Sequence, residues 1–124
     1  MKIGDLDGDG SVTLKDLALL ARILLGYEKI KSLGQAIRAD VDGNRTIDVN
    51  DLYILARYIY GLIKKLPAED KLVARLPGIV LDRIPYRGRI YKLKKVSTKT
   101  EIISILEEYK RFGLDIKTIE EMLR

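Results

Sequence analysis

The sequence predicts a mainly α-helical protein that contains two copies of a loop–helix unit, followed by a small α+β extension. Three observations predict this architecture. Two aspartate-rich loops have the same pattern, an apolar segment with helical character directly follows each loop, and the basic second half lacks the pattern. We therefore expect one domain over residues 1–67 and a separate basic extension over residues 68–124. The extension is expected to form a β-hairpin at residues 79–96 and two helices, the first of which ends at Gly113.

The first loop, DLDGDGSVTLKD at residues 5–16, places aspartates at alternate positions. Carboxylates this close repel one another, so the pattern indicates a cation that neutralises them. Ligands at positions 1, 3, 5, 7 and 12, with glycine at position 6 for a sharp turn, are typical of an EF-hand calcium loop. The expected ligands are four carboxylates and one backbone carbonyl, that of the serine: Asp5, Asp7, Asp9, Ser11 and Asp16.

The pattern returns in DVDGNRTIDVND, whose first residue, Asp40, follows Asp5 by 35 residues. A fixed period indicates a duplicated unit. Arg45 stands at position 6, where a left-handed conformation costs a non-glycine residue about 1 kcal/mol, so we expect weaker calcium binding than in the first loop. A degenerate copy that no longer binds is the alternative. The expected ligands, with the threonine acting through its carbonyl, are Asp40, Asp42, Asn44, Thr46 and Asp51.

The composition excludes several kinds of chemistry. The chain has no His and no Cys, so zinc, copper and iron–sulfur sites lose their usual ligands. It also lacks a glycine-rich phosphate loop and a convincing pair of catalytic acids, so we expect no enzyme activity. The all-oxygen ligand sets favour calcium, with two ions expected.

Each loop leads into one exit helix, expected at residues 14–25 and 49–64, and a short helix is expected between them at 32–38 with Ser32 as its N-cap. Only four residues precede Asp5, so no entering helix fits there. Both exit helices are apolar nearly all round, and two such helices do not bury every face against each other. The remaining apolar surface is expected to contact either a partner chain or the second half of this chain.

Residues 3–67 resemble a dockerin of type I-like pattern, the duplicated loop–helix module of cellulosome-type assemblies. The resemblance rests on GDLDGDGSVTLKDLALLARILLG and ADVDGNRTIDVNDLYILARYIYGLIKKLP, which share the calcium loops, an apolar residue at position 8, Asp-Leu opening each helix and a closing glycine. It implies a calcium-dependent interaction module, normally on secreted proteins, whose partner is a cohesin domain.

The resemblance also implies partner contacts from loop positions 10 and 11 and from helix positions about two turns further on. The best-known dockerins have a Ser-Thr pair at positions 10 and 11, where this chain has Leu-Lys and Val-Asn, so the larger apolar residues imply a more hydrophobic interface. Because the two copies differ at these positions, we expect one docking orientation, centred on the second exit helix. The implied positions are Leu14, Lys15, Ala18, Ala21 and Arg22 in the first copy, and Val49, Asn50, Tyr53, Ala56 and Arg57 in the second.

The second half carries a run of basic residues with no acid between them. Tyr86 and Tyr91 interrupt this run, so a nucleic-acid or other anionic partner is one interpretation. A solvated hairpin face is the interpretation we favour, and contact with the acidic loops is a third. The corresponding alternative function is a stand-alone calcium-stabilised regulator whose basic half binds nucleic acid. The run contains seven residues: Arg83, Arg87, Arg89, Lys92, Lys94, Lys95 and Lys99.

The whole chain of 124 residues has a net charge of +5 and 33% charged residues. Abundant Lys, Arg, Glu and Ile with few amides is typical of thermophilic proteins. No apolar run of membrane-spanning length and no signal peptide is evident, so we expect no membrane partner. The expected location, from the resemblance, is extracellular or at the cell surface.

Overall fold

A computed structural model of the chain describes residues 2–71 and 81–124. Within these residues the protein is mainly helical, and its one sheet has two strands. No helix of this part of the chain is long and apolar enough to cross a membrane. In chain order the elements are α1 (Leu14–Leu25), α2 (Leu33–Ala39), β1 (Thr46–Ile47), α3 (Val49–Ile59), the 3-10 helix η1 (Pro67–Asp70), β2 (Lys92–Leu93), α4 (Lys99–Leu106), the 3-10 helix η2 (Glu107–Phe112) and α5 (Ile116–Met122).

Helix α1 has the bounds that the sequence predicts, because both of its ends carry local capping signals. The Thr13 side chain accepts a hydrogen bond from Lys15 N, and Asp16 completes a capping box. Gly26 ends the helix in the left-handed conformation, with φ of 82°. The twelfth residue of the first loop is therefore also part of the helix cap, so loop and helix form one local unit.

Helix α3 ends at Ile59, earlier than the predicted residue 64. Gly61 adopts a left-handed conformation with φ of 73°, and Leu62 N donates a hydrogen bond to the carbonyl of Arg57 over 2.8 Å. This turn satisfies a carbonyl that would otherwise end the helix without a partner, and it redirects the chain. Helix α2 begins where expected, with Ser32 as its N-cap.

The second half of the chain packs against both exit helices. Helix α4 contacts α3, and α5 contacts α1. Ile102, Leu106 and Tyr109 are fully buried and belong to the same hydrophobic cluster as the leucines of α1 and α3. The apolar surface that α1 and α3 do not bury against each other is therefore covered in large part by the second half of the chain.

The predicted hairpin at residues 79–96 is wrong for the described part of that segment, and residues 79–80 lie outside the described residues. Strand β2 pairs in parallel with β1, inside the second loop, instead of with a neighbouring strand. Lys92 N donates to the carbonyl of Arg45 and Lys94 N to that of Ile47, both over 2.9 Å. The open edge of β1 offers unpaired backbone groups, and pairing there buries Tyr91 to 3% exposure.

The predicted two helices of the extension are present as α4 and α5. The first continues into η2, which ends at Gly113 in a left-handed conformation, as the sequence predicts. Asp115 caps α5 by accepting a hydrogen bond from Thr118 N over 2.7 Å.

Candidate metal centres

The four aspartates of the first loop come together at one place. Asp5, Asp7, Asp9 and Asp16 each offer a carboxylate oxygen, and these oxygens lie within 4.8 Å of one another. Backbone N–H groups of the same loop orient them. Gly10 N donates to Asp5 Oδ2 over 3.0 Å, and Asp7 N donates to Asp16 Oδ1 over 3.1 Å.

The second loop repeats this hydrogen bonding position by position. Arg45 N donates to Asp40 Oδ2 over 2.9 Å, and Asp42 N donates to Asp51 Oδ1 over 3.3 Å. Asp48 N donates to Asp51 Oδ2 over 2.9 Å, and the first loop has the same bond at the same positions. The oxygens of Asp40, Asp42 and Asp51 also lie within 4.8 Å of one another. The repeat in the sequence is therefore also a repeat of local structure.

Positions 5 and 7 match as well. Ser11 N donates to Asp9 Oδ1, and Thr46 N donates to Asn44 Oδ1, each over 2.9 Å. Asn44 thus keeps the turn of the aspartate it replaces without its charge. Strand β2 bonds to the carbonyls on either side of Thr46, so the carbonyl of Thr46 itself is outside that ladder.

The aspartate at position 1 of each loop has a buried carboxylate oxygen without a hydrogen-bond partner. Within the described residues, neither Asp5 Oδ1 nor Asp40 Oδ1 has a hydrogen-bond partner. A buried carboxylate oxygen without a partner is costly, whereas a bound cation satisfies it. The candidate metal-ligand atoms of both loops are all oxygens. The two loops therefore fit a hard cation such as calcium.

Several of the carboxyl groups that line the loops have raised pKa values. Burial, together with the charge of Asp7, raises the pKa of Asp16 to about 6. Burial and Asp42 raise the pKa of Asp40 to about 6. Burial, and then the charges of Asp42 and Asp40, raise the pKa of Asp51 to about 9. A divalent cation favours the ionised forms and so opposes both causes.

Arg45 adopts the left-handed conformation that position 6 of the loop requires, with φ of 66°. The equivalent Gly10 has φ of 90° and pays no steric cost for it. Gly43, at position 4 of the second loop, is also left-handed, with φ of 74°. A Cβ at this position would in addition lie 2.8 Å from Cγ of Lys71. Arg45 therefore adopts the conformation for which a steric cost was expected, and the weaker calcium binding of this loop stays a prediction.

Two residues that support the first loop were missed by sequence reasoning. Arg38 Nε donates to the carbonyl of Asp5 over 2.8 Å, and the same guanidinium forms an ion pair with Asp82. Gln35 Nε2 donates to the carbonyl of Leu6 over 3.0 Å. Both side chains are buried and come from α2. Polar residues on a short helix are an ordinary sequence feature, so nothing in the pattern distinguished them.

The ten positions implied as partner contacts differ in their accessibility. Ala21 and Ala56 are completely buried, and Ala18 is 8% exposed. Lys15 and Asn50 are exposed. The remaining five are half-buried: Leu14, Arg22, Val49, Tyr53 and Arg57.

Residues of the second half contact two of these half-buried positions. Arg22 Nη1 donates to the carbonyl of Met122 over 3.2 Å. Tyr109 lies edge-on to the Tyr53 ring, with ring centroids 6.2 Å apart. The Arg57 guanidinium lies over the same Tyr53 ring, 5.5 Å from its centroid. The second half therefore contacts two of the positions at which the resemblance implies a partner.

The basic run of the second half is exposed, but its tyrosines are not. Tyr91 is buried, and the Tyr86 hydroxyl is buried as well. The Lys99 ammonium lies over the Tyr27 ring, 5.6 Å from its centroid. The cations of the run are therefore presented to solvent, whereas Tyr91 offers no ring for base stacking and the half-exposed Tyr27 ring is contacted by Lys99.

The family model for the dockerin type I domain matches residues 3–60. The dockerin resemblance is thus confirmed for this segment. Dockerin domains bind Ca²⁺ and are non-catalytic modules for calcium-dependent docking between proteins. Searches of curated proteins and of solved structures find no match to this chain.

Proposed function

We propose that this protein is a calcium-dependent docking module that binds a cohesin-type domain in an extracellular assembly. The observation that carries the proposal is the buried, unpartnered carboxylate oxygen at position 1 of each loop, Asp5 Oδ1 and Asp40 Oδ1. Because the same carboxylate oxygen is unpartnered in both loops, we expect one cation in each. The match of residues 3–60 to the dockerin type I domain supports the kind of partner.

Two calcium ions are proposed, one for each EF-hand-like loop–helix repeat. Four carboxylates and the Ser11 carbonyl would hold the first, while three carboxylates, Asn44 and the Thr46 carbonyl would hold the second. Bound calcium supplies positive charge that offsets the repulsion between the carboxylates. Because extracellular calcium is in the millimolar range, even a weak second loop stays filled there.

Calcium would act on docking through the helix starts. Asp16 and Asp51 are the twelfth residues of their loops, and each is also the third residue of its helix, where it closes a capping box. A cation that fixes these carboxylates therefore also fixes the first turns of α1 and α3. Those turns carry Leu14, Lys15 and their counterparts, which are the implied contacts nearest the metal.

The second half would serve as a support for the docking unit of residues 1–67, not as a catalytic domain. It buries apolar faces of α1 and α3 and pairs β2 with the second loop. The Tyr109 ring lies against the Tyr53 ring, and the Met122 carbonyl accepts a hydrogen bond from Arg22 Nη1, so both side chains are kept in place.

Isothermal titration calorimetry with a panel of cohesin domains tests the proposal. We expect at least one cohesin to bind in millimolar calcium and to lose binding in EDTA. The double variant Asp5→Asn with Asp40→Asn keeps the shape of both residues and should behave in calcium as the unchanged protein does in EDTA. Equal binding with and without calcium, or binding to no cohesin, would overturn the proposal.

A further inference from the structure

The repeat creates two equivalent ends in the pair of exit helices. At one end, which we name the open end, residues 11–15 at the start of α1 meet Ile59 at the end of α3. At the other, the closed end, residues 46–50 lie at the start of α3, and Leu24 is the counterpart of Ile59 at the end of α1. The helices are related by the 35-residue repeat, so both ends carry apolar residues at equivalent positions, while Asn50 stands where the open end has Lys15.

The open end forms a shallow groove with apolar walls. Val12, Leu14 and Ile59 line it and are half-buried, and Lys15 stands exposed at its side. Lys2 adds a second ammonium group nearby, since its Nζ donates to the carbonyl of Gly10 over 3.2 Å. This end thus offers apolar surface with two ammonium groups beside it, next to the Asp9 carboxylate, which also lines the groove and would be neutralised by the first calcium ion.

At the closed end, Val49 is half-buried and Asn50 is exposed, as Leu14 and Lys15 are, but the apolar residues beside them are covered. Ile47 and Leu24, the counterparts of Val12 and Ile59, are both completely buried. Lys94 N donates to the carbonyl of Ile47, and Val96 N donates to the carbonyl of Leu24, each over 2.9 Å. A short stretch of the second half is therefore hydrogen-bonded to the end of α1 and to the loop before α3 at once.

We propose that residues 92–99 close one of two equivalent docking ends, so that the partner binds in one orientation, on the open end. This inference rests on the proposed function. The partner surface that fits is apolar and edged by carboxylates, because the groove residues are apolar and Lys15 and Lys2 flank them. This choice of end differs from the sequence-based expectation that the second exit helix, with Tyr53, is the centre of docking.

Docking at the closed end has a cost that docking at the open end lacks. The partner would first have to break two backbone hydrogen bonds and expose Ile47 and Leu24 to water. At the open end no residue of the described chain has to move out of the groove. The difference favours one orientation even though the repeat itself is nearly symmetric.

The test uses a cohesin that binds the unchanged protein, and two matched double variants. Leu14→Ala with Lys15→Ala changes loop positions 10 and 11 at the open end, and Val49→Ala with Asn50→Ala changes the same positions at the closed end. We expect the first variant to weaken binding by about tenfold or more and the second by less than about twofold. Thermal unfolding in calcium checks that both variants remain folded.

A larger loss in the Val49 and Asn50 variant, or equal losses in both, would show that the closed end takes part and would overturn the inference. So would tolerance of each double variant with loss only in their combination, because that result indicates two interchangeable orientations. Each of these outcomes leaves the proposed function intact, since the unchanged protein still binds. If the unchanged protein binds no cohesin, the proposed function fails first, and this inference fails with it.

Discussion

The hydroxyl of Tyr109 donates a hydrogen bond of 3.0 Å to the backbone carbonyl of Tyr53. This bond links η2, in the second half, to α3 in the segment that matches the dockerin family. The Tyr109 ring is completely buried and stacks on Tyr60 with ring centroids 5.6 Å apart. The two halves of the chain therefore share part of one core, and the unfolding of either half exposes apolar surface of the other.

Replacing Tyr109 by alanine is expected to destabilise the whole chain by about 3–5 kcal/mol, because a large buried ring leaves a cavity. Tyr109→Phe should cost only about 1 kcal/mol, since it removes the hydrogen bond and keeps the ring. Urea unfolding followed by circular dichroism measures both. Phe112→Ala is the control, because that ring is 38% exposed and should matter less. Two separate transitions, of which Tyr109→Ala shifts only one, would contradict a shared core.

Asp40→Asn is expected to reduce the number of bound calcium ions from the proposed two to one. The asparagine oxygen can still accept the hydrogen bond from Arg45 N, while its amide group takes the place of the unpartnered oxygen beside Asp42 and Asp51. The calcium-free protein should therefore become more stable, because one buried negative charge is removed. Calorimetric stoichiometry and thermal unfolding in EDTA measure the two effects. Asp5→Asn is the matched variant in the first loop, and two ions bound to either variant would contradict the assignment.

The calcium-free protein is expected to lose stability as the pH rises through about 6. The pKa values of Asp16 and Asp40 are about 6 in the folded chain, against an ordinary aspartate value of 3.8. The folded state therefore holds protons that the unfolded chain has released, and this stabilisation is complete below pH 3.8 and is lost above the folded pKa. Asp51, with a pKa of about 9, extends the loss to higher pH.

Calcium should reverse this dependence, because it binds the ionised carboxylates and competes with protons. We expect the calcium affinity of the first loop to fall as the pH drops below about 6, and that of the second loop to begin to fall below about 9, where Asp51 takes up a proton. Thermal unfolding at about pH 5 and about pH 7.5, in calcium-free buffer and in excess calcium, separates the two cases. A calcium-free protein that melts at a higher temperature at the higher pH would show that the sign is wrong.

Arg45→Gly is expected to stabilise the protein by about 1 kcal/mol, because glycine adopts the left-handed conformation of loop position 6 without a steric penalty. The same change should strengthen calcium binding by the second loop, which then matches the first at this position. The reverse variant, Gly10→Arg, should weaken the first loop by a similar factor. Calcium titrations of both variants provide the comparison, and a weaker second loop in Arg45→Gly would count against strain at this residue.

Nucleic acid is expected not to bind the basic run specifically. The run presents cations to solvent, but Tyr91 is buried and Tyr86 is half-buried with a buried hydroxyl, so the pair offers little aromatic surface for stacking with bases. Fluorescence anisotropy with short single- and double-stranded probes at low salt measures this. Micromolar affinity with a steep salt dependence, lost in Arg87→Ala with Lys92→Ala, is the result that would establish a nucleic-acid site.

The two loops were predictable from sequence because their geometry is local. The hydrogen bonds that orient the loop carboxylates join residues no more than nine positions apart, as in Asp7 N to Asp16 Oδ1. The bounds of α1 were predictable for the same reason, since Thr13 and Gly26 cap it from within the same stretch. Spacing alone therefore determined which carboxylates come together and where each exit helix begins.

Only the tertiary structure determined where the second half of the chain contacts the first. The bond from Lys94 N to the Ile47 carbonyl and the ion pair of Arg38 with Asp82 join residues more than 40 positions apart. No periodic pattern marks such pairs, because they depend on where the chain returns after it leaves the repeat. The hairpin prediction was wrong for this reason. The strand at Lys92 pairs with the open edge of β1 in the second loop and not with a strand close to it in sequence. The same long-range pairing makes two nearly equivalent helix ends unequal, because only one of them is covered.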